Sequence, residues 1–257
     1  MPKKAIFRFY EELNDFLPSW RKKVPFTVEF KGNPAVKDSI EALGVPHTEV
    51  DLILSNGVSV PFSYHMQDGD MVSVYPVFES IDITSATRLR AEPLREMKFI
   101  ADVHLGKLAR YLRLLGFDCN YNKDYTCSEI TAIAQKENYV ILTRNISLLK
   151  IKSVSRGYWI QSQYPVEQAS EVIKRFDLAA KVRPFSRCMV CNGIVNIIDK
   201  ESVKSELEPE TSRYYHEFYR CISCKRIYWK GSHTIKLLSL ISTIVKKDTE
   251  EWKQNQE

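Results

Sequence analysis

The sequence predicts a three-part α/β chain: a small mixed unit, a parallel-sheet unit, then a metal-knuckle unit. Three observations predict it. Strand-like runs, one helical run and an Asn-Gly turn share residues 1–80; strand and helix patterns alternate over residues 97–182; two C-x-x-C pairs stand at Cys188/Cys191 and Cys221/Cys224. Strand–helix alternation implies a parallel sheet covered by helices. Paired C-x-x-C units in a chain without a secretion signal favour metal over disulfides.

In the first segment, "AIFRFY" and "PFTVEF" read as strands. "AVKDSIEAL" reads as a short helix, with Val36, Ile40 and Leu43 at helical spacing and Gly44 as its stop. "VDLILSNGVSV" is strand, Asn-Gly turn, strand, and "QDGDMVSVYPVF" adds a turn and a last strand. Strand, strand, helix, strands is the order of a β-grasp, or ubiquitin-like, fold. Residues 81–96, polar and containing Pro93, read as a linker.

In the second segment "MKFIAD" is the first strand. "HLGKLARYLRLLG" is a helix whose apolar face holds Leu105, Leu108, Ala109, Leu112 and Leu115, with Gly116 as its stop. "FDCNY", "SEITAIAQKEN", "YVILT" and "GYWIQ" continue as strand, helix, strand and strand, and "PVEQASEVIKRF" closes with Pro in its first turn. Ligands of such sheets sit beyond the carboxyl ends of the strands. There the sequence places Asp102 after the first strand, Asp124 and Glu129 after the second, and Asn145 after the third. Acids converging on that rim can hold Mg²⁺ or Mn²⁺, which activate water and stabilise the leaving oxygen of a phosphodiester. Each acid also has a structural reading: Asp102 as an N-cap, Glu129 as a favourable charge in a first helical turn, Asp124 as a turn residue. Arg144 can approach a phosphate as a bidentate donor. Lys107, Arg110 and Arg113 run along the first helix on the side away from the apolar face, where they can meet a nucleic-acid backbone or simply solvent.

The third segment, residues 183–235, separates its cysteine pairs by 29 residues. Four thiolates in two knuckles suit tetrahedral, structural Zn²⁺. Around them stand basic residues, Arg226 among them, interleaved with Phe185, Phe218, Tyr219, Tyr228 and Trp229. Such side chains can grip phosphates and stack bases, or fill the small core a ribbon needs. "HTIKLLSLISTIVKK" reads as an amphipathic helix and "DTEEWKQNQE" as a solvated tail, within residues 236–257. Cys119 and Cys127 are left as ordinary thiols.

Hydrophobic residues make up 44% and charged residues 27%, a globular balance that argues against wholesale disorder. The net charge of +5 is uneven: residues 1–80 carry 8 basic against 11 acidic side chains, so the excess of positive charge lies in the rest of the chain. A polyanionic partner suits that basic body. There is no apolar run of about 20 residues and the opening "MPKKAIFRFYEEL" has no signal-peptide core, so the expectation is a soluble, intracellular, cytoplasmic protein without membrane contact.

"KFIADVHLGKLARYLRLLGFDCNY", "EITAIAQKENYVILTRN" and "PFSRCMVCNGIV…FYRCISCKRIYWKGSH" together resemble the PIN-like RNase family known as the Mut-seven-type C-terminal RNase domain, over residues 97–235. That family carries a C-terminal zinc ribbon and in some members an N-terminal ubiquitin-like domain. The resemblance implies a PIN-like fold, RNA as substrate and a metal held by acids. Asp102 matches the family's first-strand acid and Glu129 its second-helix acid; Cys127 and Asn145 stand where two Asp residues are expected. The head resembles the ThiS/MoaD sulfur carriers through "VKDSIEALGVPHTEVDLILSNG" and "DGDMVSVYPVF", but runs on into "PVFESIDIT" without their Gly-Gly end. Its implied role is docking, with a protein partner, or substrate positioning rather than sulfur transfer.

The resulting expectation is a metal-dependent ribonuclease of PIN-like type. Asp102 is the main Mg²⁺ or Mn²⁺ ligand, Glu129 the second acid, Asp124 and Asn145 the supporting ligands, and the site is weakened at Asn145 and Cys127. The alternative is a catalytically inactive RNA-binding protein that keeps the fold and the ribbon. A third reading is an adaptor acting through the head.

Overall fold

The computed structural model describes residues 2–76 and 97–254. The expected linker 81–96, residues 77–80 of the first segment and residues 255–257 of the tail lie outside the described residues.

The head is built from β1 (Lys3–Phe9), β2 (Phe26–Phe30), α1 (Val36–Ala42), β3 (Val50–Ser55), β4 (Val58–Ser59) and β5 (Met71–Pro76). Its five strands take the order β2-β1-β5-β3-β4, with β1 and β5 parallel and their other pairings antiparallel. This is the mixed sheet of a β-grasp. β1 alternates buried Ala5, Phe7 and Phe9 with outward Lys4, Ile6 and Arg8, the period-2 pattern of a strand with one covered face. Val36 and Ile40 of α1 join that core. The β3–β4 turn has φ of 53° at Asn56 and 81° at Gly57, as a two-residue hairpin loop requires at both central positions. Asn56 is held further by Asp70: its Nδ2 donates to Asp70 Oδ1 at 2.9 Å.

The parallel-sheet part follows as β6 (Lys98–Ala101), α2 (Gly106–Leu114), β7 (Asp118–Asn120), α3 (Cys127–Glu137), β8 (Val140–Thr143), α4 (Ile146–Leu149), β9 (Gly157–Trp159) and α5 (Pro165–Arg175). The strand order is β7-β6-β8-β9, and β6 runs parallel to both β7 and β8. The order reverses direction about β6, so its carboxyl end lies at a switch point of the topology. Phe99, Ile100, Ala101, Ile141 and Leu142 are buried, the near-continuous apolar runs of a sheet covered on both faces. α2 ends at Gly116 (φ 96°): Gly116 N–H donates to Arg113 and Phe117 N–H to Leu112, which satisfies the last carbonyls of the helix.

The ribbon contains β10 (Val195–Ile198), α6 (Pro209–Tyr214), β11 (Phe218–Cys221) and β12 (Ile227–Trp229), its three strands antiparallel with β11 central. α7 (Ser232–Gln254) closes the chain. The expected tail from Asp248 is therefore helical to Gln254. Its charged residues favour helix almost as well as apolar ones, so the helix outlasts its apolar stripe.

By their contacts the described residues fall into two compact units, one of which joins residues 131–137 and 145–159 to the head. In that unit Trp159 N–H donates to the buried Glu49 at 2.7 Å, Lys150 Nζ donates to the Glu41 carbonyl at 2.9 Å, and the Trp159 ring lies 5.0 Å from that of Phe16. His47 bridges Glu41 Oε1 at 2.5 Å and the Val154 carbonyl at 2.7 Å, and burial, with the Lys37 charge, holds its pKa below the ordinary value. The second unit holds residues 97–130, 138–144 and 160–257. No helix among the described residues is long and apolar enough to cross a membrane.

Candidate functional site

Asp102 stands where β6 leaves the sheet. Its N–H still donates to the Leu142 carbonyl at 2.9 Å, so the ladder extends one residue past the strand before the chain turns into a 3₁₀ turn over Val103–Leu105. The residue is 7% exposed. Its Oδ2 accepts the hydroxyl of Thr143, at the end of β8, at 2.5 Å, while Oδ1 has only a long contact of 3.4 Å from the His104 N–H. One oxygen is thus anchored and the other lightly engaged, an arrangement in which Oδ1 can turn to a cation. Thr143 is wholly buried, and it escaped the sequence reading because a Thr at the end of a strand is ordinary there.

The other acids have local work. Thr126 and Glu129 form a reciprocal capping box at the start of α3: Glu129 Oε2 accepts the Thr126 N–H at 2.8 Å and its hydroxyl at 2.8 Å, and the Glu129 N–H donates back to Thr126 Oγ1 at 3.3 Å. The Thr126 N–H, then its hydroxyl, hold the Glu129 carboxyl below its ordinary pKa. Asp124 is exposed in the preceding turn, where its N–H donates to Asn122 Oδ1 at 3.1 Å. Cys127 is exposed. Asn145 caps α4, its Oδ1 accepting the Ser147 N–H at 3.0 Å. An Asp caps a helix as well as an Asn does, so the cap does not account for the amide. Among the described residues Asp102, Asp124 and Glu129 are not gathered into a metal-sized group; the only such group of three or more acids, histidines or cysteines is formed by Cys188, Cys191, Cys221 and Cys224.

Among the cations, Lys107 and Arg110 are exposed on α2 and Arg226 is exposed in the ribbon. Arg144 braces the chain leading into α5, its Nη1 donating to the Gln161 carbonyl at 2.9 Å and to that of Ser162. Arg113 corrects the sequence expectation. It is 5% exposed rather than solvent-facing, with Nε on the Cys119 carbonyl at 2.8 Å and Nη1 on the Val190 carbonyl at 2.8 Å. It follows Ala109 by one helical turn, so it lies on the inward face, and the polar seam beside β7 gives its guanidinium partners there.

The four cysteines meet as two knuckles. Cys188 lies before β10, and Cys221 ends β11. Each knuckle closes with a backbone bond onto its first cysteine's carbonyl, from Asn192 at 2.9 Å and Lys225 at 3.1 Å. Those two closing residues adopt φ of 70° and 62°. The sulfur of Cys188 lies 3.6 Å from that of Cys224, Cys191 lies 3.4 Å from Cys221, and all four fall within 4.8 Å of one another. A tetrahedron of Zn–S bonds of about 2.3 Å has edges of about 3.8 Å. The donor set fits, and the group can bind a metal such as zinc.

The sulfurs share protons unequally. Burial pushes Cys188 up, but hydrogen bonds from Tyr228 and from the Cys191 and Val190 amides outweigh it and bring its pKa down to about 6. Burial, with the other sulfurs, pushes Cys191 up to about 12. The Tyr228 hydroxyl sits 3.0 Å from the Cys188 sulfur. Tyr228 therefore serves the cysteine cluster and Phe218 the core, whereas Trp229 remains 40% and Tyr214 63% exposed.

A family model described as Mut7-C RNAse domain matches residues 97–241, and one described as Mut7-C ubiquitin matches residues 2–82. Comparison with curated proteins and with solved structures gives no match.

Proposed function

We propose that this chain, which belongs to the Mut7-C RNAse domain family, hydrolyses RNA phosphodiesters at the exits of β6 and β8, with Asp102 as the principal ligand of an Mg²⁺ or Mn²⁺ ion. The observation that carries this reading is the Asp102 carboxylate, sequestered at the switch point and anchored through Oδ2 by Thr143. The metal would activate a water for in-line attack and stabilise the departing oxygen. Glu129 is the second acid in this reading, Asp124 and Asn145 are the supporting ligands, and Lys107 and Arg110 the phosphate contacts. Domain bounds of 1–80, 97–182 and 183–235 suit it, with the head as a docking module for a protein partner.

Cleavage of labelled single-stranded RNA in Mn²⁺ tests it. Asp102→Ala is expected to lower the rate by at least about 100-fold, since even an outer-sphere residue of a metal site is worth 10–100-fold. Asn145→Asp restores a negative charge and is expected to lower the Mn²⁺ concentration needed. Equal rates in the intact chain and Asp102→Ala would sink the proposal.

Three observations favour a second reading, RNA binding without cleavage. The acids are not gathered, and Glu129 is already engaged in its capping box. The ribbon also presents a hollow lined by Tyr214, Tyr215, His216, Glu217 and Lys230, beside Trp229. Lys230 is paired with Glu217 at 2.5 Å, so stacking rather than phosphate contact would dominate there. Tyr214→Ala with Trp229→Ala is then expected to weaken single-stranded RNA binding roughly 10-fold or more, by the same factor at low and high salt. Unchanged affinity would remove the ribbon from this reading.

A further inference from the structure

β7 is an edge strand, and its outer side is met by the first cysteine knuckle rather than by another strand. The Cys119 N–H donates to Asn192 Oδ1 at 3.1 Å, and Asn192 Nδ2 donates to Asp118 Oδ1 at 2.7 Å. The other oxygen of Asp118 pairs with Arg187 at 3.3 Å. From the helix side, Arg113 binds the Cys119 carbonyl through Nε and, through Nη1, the Val190 carbonyl at 2.8 Å and that of Met189 at 3.4 Å. Met189 and Val190 are the two residues between the knuckle's cysteines, and Asn192 directly follows the second. Every partner that the ribbon offers to β7 and Arg113 thus belongs to, or borders, the loop that a bound metal would close.

We propose that the metal held by the four cysteines positions β7, with Arg113 and Asn192 as the positioning residues that transmit its presence. The physical reason is desolvation. A guanidinium buried to this depth and an edge-strand amide are stable there only while their acceptors are in place. Opening the knuckle withdraws the Met189 and Val190 carbonyls and the Asn192 amide together. β7 in turn leads into the segment carrying Asp124 and Glu129, and Tyr121, the residue after it, donates its hydroxyl to the Val103 carbonyl at 3.0 Å, beside Asp102. The consequence for the acids rests on the nuclease reading; the positioning of β7 does not.

Hydrogen exchange on the full chain tests the proposal with zinc as the probe metal. Stripping zinc with a chelator is expected to raise amide exchange at Cys119 at least 10-fold while β1 and β5 of the head keep theirs. Asn192→Gly, which tolerates the left-handed backbone while removing the side chain, is expected to bind one zinc and yet exchange at Cys119 like the stripped chain. Arg113→Lys, which cannot reach all three carbonyls, is expected to do the same to a smaller degree. Two results would overturn the proposal: β7 protection that ignores zinc, or full protection in zinc-loaded Asn192→Gly. Loss of zinc by Asn192→Gly would also count against it, because the residue would then shape the site rather than transmit it. RNA cleavage is not part of the readout, so an inactive nuclease leaves the result standing.

Discussion

Gly116→Ala is expected to cost about 2–5 kcal/mol of stability, as a sum of left-handed strain of about 1–2 and overpacking of about 1–3 kcal/mol. Gly116 has φ of 96°, and a Cβ there would lie 2.3 Å from the Arg183 carbonyl oxygen and 2.7 Å from the Ser186 hydroxyl. The nearer obstacle is backbone and cannot swing away. It is also committed: the chain entering the ribbon crosses the end of α2, with Arg183 N–H on the Leu115 carbonyl at 2.9 Å and Phe185 N–H on the Leu114 carbonyl at 3.0 Å. These bonds satisfy carbonyls that a helix end otherwise leaves open. Gly57→Ala is the control, since its φ is 81° but no atom lies within 4 Å of the added Cβ; it should cost only the left-handed strain of about 1–2 kcal/mol. Urea unfolding of both variants decides. Equal costs would mean that the crossing at Arg183 yields.

Cys221→Ser is expected to abolish metal binding and unfold the ribbon while leaving the head intact. Over residues 183–231 the buried hydrophobic side chains among those described are Cys188, Val203, Phe218 and Cys221, and two of these are metal-site thiols. Val203 and Phe218 bury too little apolar surface to offset the entropy of ordering about fifty residues, at about 1–2 kcal/mol each for the backbone. A structural zinc contributes about 10–16 kcal/mol to the folding of small zinc domains. Replacing one thiolate with a hydroxyl removes a soft ligand that zinc does not exchange for an alcohol. The measurements are zinc content after dialysis and the methyl and ring resonances of Val203 and Phe218. A Cys221→Ser chain that keeps one zinc and a dispersed Phe218 ring would overturn the expectation.

Much of the candidate site could be read from the sequence, but not how it is arranged. Local chemistry determined the hairpin at Asn56–Gly57, the end of α2 at Gly116, the placement of Asp102 at a strand exit and the form of each C-x-x-C knuckle, because each depends on residues only a few positions apart. Glu129 was legible both as an acid and as a helix-start residue, and the tertiary structure engages it in the cap. Arg113 was not legible. Its helical spacing is compatible with either side of α2, and what draws it inward is carbonyl groups some 76 and 77 residues further along the chain. The same holds for Thr143, bonded to an acid 41 residues earlier, and for Glu49, which receives an amide 110 residues later. Periodicity and backbone preference act over a turn or two and were written in the sequence. Which polar groups meet in the interior was decided only by folding, because a buried charge must find its partners wherever the chain brings them.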